Sequence, residues 1–246
     1  MWPEGQLVRD GAFHVPLSCQ PAANNRVTPE LLQAAPARYE KEQAPSSIAR
    51  TKITYVVGSL RDGGTERQVL ELIRHLDRRQ FEPSLIAMED ANLDRVNGLV
   101  EASYIMGIPE AGNSRWVGRG LAVAGAVRRV SRYLRDQQTD IVHAFLPGPS
   151  IVGSAAARLA GVSLIIGSRR SLASQYRAAS RVAGWADTAA FHLAHFNLGN
   201  SLAVSREMVE IGRCPAHQLG MVRNGVDIRG FPLNFPSNLR PQLGIA

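Results

Sequence analysis

Hydrophobic and polar positions alternate between two periods along most of the chain. A β-branched apolar run, Ile53-Thr54-Tyr55-Val56-Val57, leads into a glycine-bearing turn at residues 58–64. Val69, Leu72, Ile73 and Leu76 then follow at the i, i+3, i+4, i+7 spacing of one helix face. The same succession recurs downstream. Residues 84–88 read as a second strand, 93–102 as a short helix and 104–106 as a weak third strand. Residues 121–134 predict a helix with an inner face of Leu121, Ala124, Val127, Val130, Ser131 and Leu134. After it come a strand at 140–144, a small-residue helix at 150–160 ending at Gly161, and a buried strand at 164–166. A long helix at 175–195, a strand at 196–199, a helix at 203–211 with Ser201 near its N-cap, and a last strand at 219–222 complete the pattern.

Strands separated by helices predict an α/β fold: a Rossmann-like parallel sheet with helices on both faces. Ligands of such sheets sit at the carboxyl ends of the strands. The residues that fall there are Gly63 and Gly64, His143, residues 168–170, residues 200–205, and Asn224 with Gly225.

Residues 1–50 depart from this pattern. Pro3, Pro16, Pro21, Pro29, Pro36 and Pro45 interrupt any long element, and only a short helix from Thr28 through Leu32 is expected there. The rest divides into one domain at 51–228 and a tail at 229–246. An apolar content of 45% with 20% charged residues is that of a globular protein with a buried core. The formal charge of +7 comes mostly from arginines spread along the chain. No aromatics interleave with them, so nucleic acid is not the expected partner; anionic lipid or phosphorylated ligands suit the charge equally well. The basic outer face of the helix at 121–134, with Arg128, Arg129, Arg132 and Arg135, is either simply solvated or a membrane-facing surface. Two cysteines, Cys19 and Cys214, have no metal-type spacing and fit a reducing cytoplasm. The first residues carry no signal-peptide pattern. The longest apolar stretch, 149–167, contains Arg158 and breaks near Gly161, so it reads as helix plus strand rather than a membrane span.

The turn at 58–64 has a chemical rationale. Paired glycines let backbone approach a ligand, and the helix that follows presents free N–H groups to an anion; a tight turn with nothing bound is the plainer alternative. Two sharper motifs fail. Gly64 stands where a P-loop needs lysine, which excludes that NTPase signature, and glycines at 58, 63 and 64 do not make the GxGxxG of a dinucleotide site, which weakens a nucleotide-dependent oxidoreductase. No GxSxG elbow or paired-carboxylate motif supports a hydrolase. His192 and His195 share a helix face without a third metal ligand and read as structural.

Four segments in order resemble glycosyltransferase family 4, which has the GT-B architecture. They are Ile53-Thr54-Tyr55-Val56-Val57 with Gly63-Gly64-Thr65-Glu66-Arg67-Gln68, Asp140-Ile141-Val142-His143-Ala144, Ser201-Leu202-Ala203-Val204-Ser205, and Val222-Arg223-Asn224-Gly225-Val226-Asp227 followed by Phe231. The resemblance spans residues 52–246 and implies the N-terminal, acceptor-side half of such an enzyme. Family members continue into a second Rossmann-like domain with a basic residue and an E-x7-E pair; residues 229–246 read as a truncated interdomain linker. The resemblance therefore implies transfer of a sugar from a nucleotide-diphosphate-sugar, as co-substrate, to a glycan or lipid-linked acceptor in cell-envelope polysaccharide synthesis. The chain alone is expected to be inactive and to need a C-terminal donor-binding domain or a separate partner chain. The alternative is a non-catalytic glycan-binding or partner module of a split enzyme. No metal or other cofactor is expected, and the location is the cytoplasm, with peripheral contact at the inner membrane face.

By the same resemblance, substrate-binding candidates are Gly63, Gly64, Glu66, His143, Arg169, Arg170, Asn224 and Gly225. Arg169 stands where many family members have histidine. Arginine stays protonated, so it cannot be a general base, but it can clamp a departing diphosphate; it is the catalytic candidate. Each has a plainer reading: Arg169 and Arg170 as a surface pair, His143 as a structural histidine, Glu66 as a helix cap, and Asn224-Gly225 as a turn.

Overall fold

The computed structural model describes residues 49–61, 63–89, 93–106, 116–172 and 181–225. Its strands are β1 (Thr51–Val57), β2 (Phe81–Ala87), β3 (Ala102–Ile105), β4 (Ile141–Phe145), β5 (Leu164–Arg169), β6 (Phe196–Gly199) and β7 (Leu219–Met221). Its helices are α1 (Gly64–Arg74), α2 (Trp116–Asp136), α3 (Pro147–Ala160), α4 (Arg181–Leu193) and α5 (Leu202–Glu210). All strand pairs are parallel, and their spatial order is β3-β2-β1-β4-β5-β6-β7. The chain runs outward from β1 to β3, returns through α2, and runs outward again from β4 to β7. The reversal falls between β1 and β4, where Ile53 pairs with Ile141 and Tyr55 with His143. That is the switch point at which open α/β sheets form a crevice.

Right-handed crossovers put the helices of the two halves on opposite faces. On one face, Val69, Leu70 and Ile73 of α1 pack on Tyr55, Val57, Leu85 and Phe145. On the other, Ala126, Val130 and Leu134 of α2 and Val152 and Ala156 of α3 pack on Val56, Val142, Ala144 and Ile165. Phe191 of α4 and Met208 of α5 extend that second layer over Leu219. Each such fully buried aliphatic or aromatic side chain contributes about 1.5–3 kcal/mol. Two glycines are required by geometry. Gly161 ends α3 at φ 78°, and a Cβ on Gly199 would strike Ser205 at the start of α5. Ser201 caps α5 as expected, its Oγ accepting from the Val204 amide at 3.3 Å.

The layers are unequal. Among the described residues the α1 face carries no α-helix over β4, β5 and β6, so sheet expected to be covered lies open there. Other departures are local. The helix expected at 93–102 is a single 3-10 turn, Leu93–Val96, followed by Gly98 at φ 71°. Helix α2 starts at Trp116, and its inner face begins only at Ala126; Leu121 and Ala124, expected in the core, are exposed, Leu121 by 70%. Strand β5 runs on to Arg169, which fixes the direction of that side chain. The helix expected at 28–32, the start of the one at 175–195 and the tail at 229–246 lie outside the described residues.

Candidate functional site

The open sheet face and α1 bound a groove of about 800 Å³, within the range of small-molecule sites. Its floor is apolar, from Ile53, Tyr55 and Leu198, and Leu72 of α1 with Leu76 just past its end forms one wall. Its mouth is at the carboxyl edge of the sheet and is polar: Arg170, Asn200, Arg223, Gly225 and Gln68 converge there.

His143 and Ser168 stand side by side on the groove-facing surface of β4 and β5, with His143 Nε2 2.7 Å from Ser168 Oγ. The imidazole packs at a tilt against Phe145 (centroids 4.2 Å apart) and Tyr55 (5.9 Å). Burial, helped by the positive charge of Arg170, lowers its pKa to about 3. His143 is therefore neutral at physiological pH. It is a hydrogen-bonding group rather than a base poised near neutrality.

Arg170 lies over the Phe145 ring, 5.1 Å from its centroid, and donates to Asn224 Oδ1. Asn200 donates from its backbone to Arg169 O at 3.2 Å and from Nδ2 to Arg170 O at 3.4 Å. Two buried polar atoms at the mouth, Asn200 Oδ1 and Arg170 Nε, have no hydrogen-bond partner among the described residues. Unsatisfied buried polar atoms are costly, and a ligand hydroxyl or phosphate oxygen would relieve that cost.

Arg169 is placed differently from its expected role. Side chains alternate along a strand, so Ser168 and Arg170 facing the groove send Arg169 to the opposite layer. There its guanidinium pairs with Asp187 of α4, donates to Ser150 Oγ at 2.9 Å and sits 4.8 Å from the Phe191 centroid. The side chain is 2% exposed. It borders the groove without offering its charge to it, and the anion-clamp role does not fit it. Arg170, one residue on, has the direction that role requires.

The N-terminus of α1 lies at the same edge but does not line the groove. Gly63 is its N-cap with extended backbone, and the Glu66 carboxylate folds back against it, where a Cβ on Gly63 would clash. Ser59 Oγ donates to Glu66 Oε1 at 3.4 Å. Glu66 thus holds the positive end of the helix that a phosphate would also seek. Gly64 has open space where its Cβ would be. Asn224 and Gly225 form the rim opposite, with Gly225 held by Gln68.

Two features at this edge, Gln68 and Leu146, escape the sequence, while Asn200 falls in the 200–205 stretch expected there. Gln68 carries no motif signal beyond the segment that contains it. Leu146, which joins β4 to α3, adopts φ 73° and ψ 166°, a region glycine alone visits freely. Only the local Phe145-Leu146-Pro147-Gly148 run hints at a sharp corner. His195 accepts from the Ile165 amide at Nδ1 (2.9 Å), a structural contact.

The family model described as Glycosyltransferase Family 4 matches residues 62–229. No curated protein matches the sequence. Among solved structures, the lipopolysaccharide outer core galactosyltransferase WaaB, in its apo form, is 15% identical with a TM-score of 0.57, over 76% of this chain and 50% of its own. HepE (Alr3699) of Anabaena, solved with UDP and glucose, is 20% identical with a TM-score of 0.55, over 79% and 50%. The UDP-GlcNAc 2-epimerase of Neisseria meningitidis, bound to UDP-GlcNAc, is 12% identical with a TM-score of 0.52, over 71% and 46%. At these identities the likeness is one of fold, and the fold serves both sugar transferases and epimerases. The chain spans about half the length of the solved structures it matches.

Proposed function

The chain belongs to glycosyltransferase family 4, and we propose that its groove is the acceptor-side half of a cleft in which a sugar passes from a nucleotide-diphosphate donor to a glycan or lipid-linked acceptor. The observation that carries this reading is the polar mouth. Arg170, Asn200 and Asn224 converge at the carboxyl edge, with Asn200 Oδ1 left to accept a hydrogen bond. An acceptor would lie with its apolar part along Tyr55 and Leu198 and its hydroxyls at the mouth.

In the transfer, the bond between the anomeric carbon and the diphosphate oxygen breaks, and its electron pair leaves with the diphosphate. The acceptor oxygen forms the new bond and passes its proton to the departing diphosphate. Arg170 would meet the developing negative charge, joined by the amide end of α1 only once the Glu66 carboxylate moves off it, while neutral His143 holds an acceptor hydroxyl through the Ser168 pair. Closure of a donor-binding domain over this edge would exclude water and suppress donor hydrolysis. The reading uses no metal. It places the reaction in the cytoplasm, in cell-envelope polysaccharide synthesis. Among the described residues no helix is long and apolar enough to cross a membrane.

A second reading is that these residues form a non-catalytic glycan-binding or partner module of a split enzyme. Both readings expect the 246-residue protein to bind an acceptor-type glycan at the groove and to transfer no sugar by itself. Titration with short glycans and UDP-sugars, followed by amide NMR, tests this. Shifts confined to His143, Arg170, Asn200 and Gly225 are expected, and Arg170→Ala should weaken binding by about tenfold or more. Sugar transfer by the purified chain alone overturns the half-cleft reading. Glycan shifts that avoid the groove overturn the site.

A further inference from the structure

Resting on the acceptor-side reading of the groove, we propose that its acceptor is an acid: the sugar bound at the mouth carries a carboxylate or a phosphate, and Arg170 holds that oxyanion.

Arg170 is a cation without its complement. Its neighbour Arg169 has Asp187 as a counter-ion, whereas Arg170 has no carboxylate partner among the described residues. Its guanidinium lies over the Phe145 ring and donates to the neutral amide of Asn224. Its Nε is buried and donates to nothing among the described residues. Loss of water lowers its pKa, and no nearby carboxylate acts against that. A charge drawn this far out of water is ordinarily paired. Here the place of the partner is open to a ligand.

The surroundings add positive charge rather than negative. Arg223 lines the same mouth, is exposed, and forms no ion pair among the described residues. Glu71 is the one carboxylate lining the groove among the described residues. It stands three positions beyond Gln68 on α1, roughly 4.5 Å further from the mouth. Arg74 holds it there at 2.6 Å. His143 is neutral and supplies no charge.

The other mouth groups fit the rest of such a sugar. Asn200 Oδ1 is left to accept from a hydroxyl, and Tyr55 and Leu198 offer an apolar floor to the ring. A neutral sugar satisfies Asn200 and leaves the Arg170 charge as it stands; an acidic one completes both. Carboxylate and phosphate share the pair of oxygens that a guanidinium edge receives. A guanidinium has two such edges. The Nε edge takes the acceptor's oxyanion, and the edge toward Asn224 remains for the departing diphosphate.

The test is amide NMR titration of the 246-residue chain with three matched sugars: methyl β-glucoside, methyl β-glucuronide and methyl β-glucoside 6-phosphate. At least one acidic sugar is expected to bind about tenfold or more tighter than the neutral one, with shifts at Arg170 and Asn200. The tighter of the two acids identifies the group. Added salt should narrow the gap. Arg170→Gln should erase it, and Arg170→Lys, which keeps the charge, should retain part of it. The comparison among sugars needs no variant, so it stands if a variant fails to fold. Equal binding of neutral and acidic sugars at the groove overturns the acid and leaves the acceptor-side reading in place. Binding away from the groove, or none, overturns both. An acid preference that survives Arg170→Gln, or inorganic phosphate binding as tightly as the sugar phosphate, overturns the proposal.

Discussion

Gln68 and Gly225 lie 157 positions apart in the chain and are joined by two hydrogen bonds. The Gly225 amide donates to Gln68 Oε1 at 2.8 Å, and Gln68 Nε2 donates back to the Gly225 carbonyl. One primary amide satisfies both backbone groups of a single residue, as a neighbouring strand would. The contact fixes the segment after β7 to the flank of α1, at the mouth of the groove. Gln68→Ala is expected to cost about 1 kcal/mol and to speed hydrogen exchange at the Gly225 amide while that at Val56 is unchanged. Equal protection of Gly225 in both proteins would show that something else holds the segment.

Arg169 and Arg170 are neighbours with opposite expected behaviour. Asp187→Asn leaves the buried Arg169 charge without its partner and should destabilise the fold by about 3–5 kcal/mol. Arg170→Ala removes a half-buried group from the groove's rim and should lower Tm little while losing glycan binding. Denaturant melts of both variants, with binding measured on each folded protein, separate the two.

His143 makes stability depend on pH. Its folded pKa of about 3 lies below the ordinary value of 6.5, so between these values the unfolded chain holds a proton that the folded chain does not. Stability is present above about 6.5 and is lost as pH falls toward 3, with a slope of at most about 1.4 kcal/mol per pH unit. His143→Gln keeps a partner for Ser168 and removes the titration. Its melts should flatten across that window relative to the parent, and parallel curves would place the neutral form elsewhere.

Gly63 and Gly64 separate packing from ligand approach. Gly63→Ala pushes the flexible Glu66 carboxylate from the start of α1 and should cost no more than about 1 kcal/mol. Gly64→Ala meets nothing in the fold and should leave Tm unchanged or slightly raised. If a donor phosphate approaches this turn when the cleft is complete, Gly64→Ala will raise the donor KM there without loss of stability. Glu66→Gln should then lower it, because a carboxylate no longer holds the same amides.

The alternating periods made the parallel sheet legible, since a strand buried on both faces has little choice of composition. Leu121 shows the limit. Its spacing is that of a core residue, but an amphipathic stripe says which residues share a face, not how far the sheet extends beneath it. Arg169 shows another: a strand end mistaken by a few residues hides which side the guanidinium faces. Of the candidate site, Arg170, Asn224 and Gly225 meet at the groove because each follows a carboxyl strand end, and His143 because it faces the same side from the middle of β4. Gln68 and Asn200 act through backbone groups distant in the chain, and Leu146 through a backbone angle, neither of which a residue pattern reports.

The pairing of β1 with β4 bears on how the protein is made. The Lys52 amide bonds to Asp140, 88 residues further on, and nothing shorter can close that edge. At about 5–20 residues per second, the nascent chain waits on the order of ten seconds before β4 leaves the ribosome. Throughout that time strand β1 has one flank of peptide groups unpaired, open to any other chain emerging nearby.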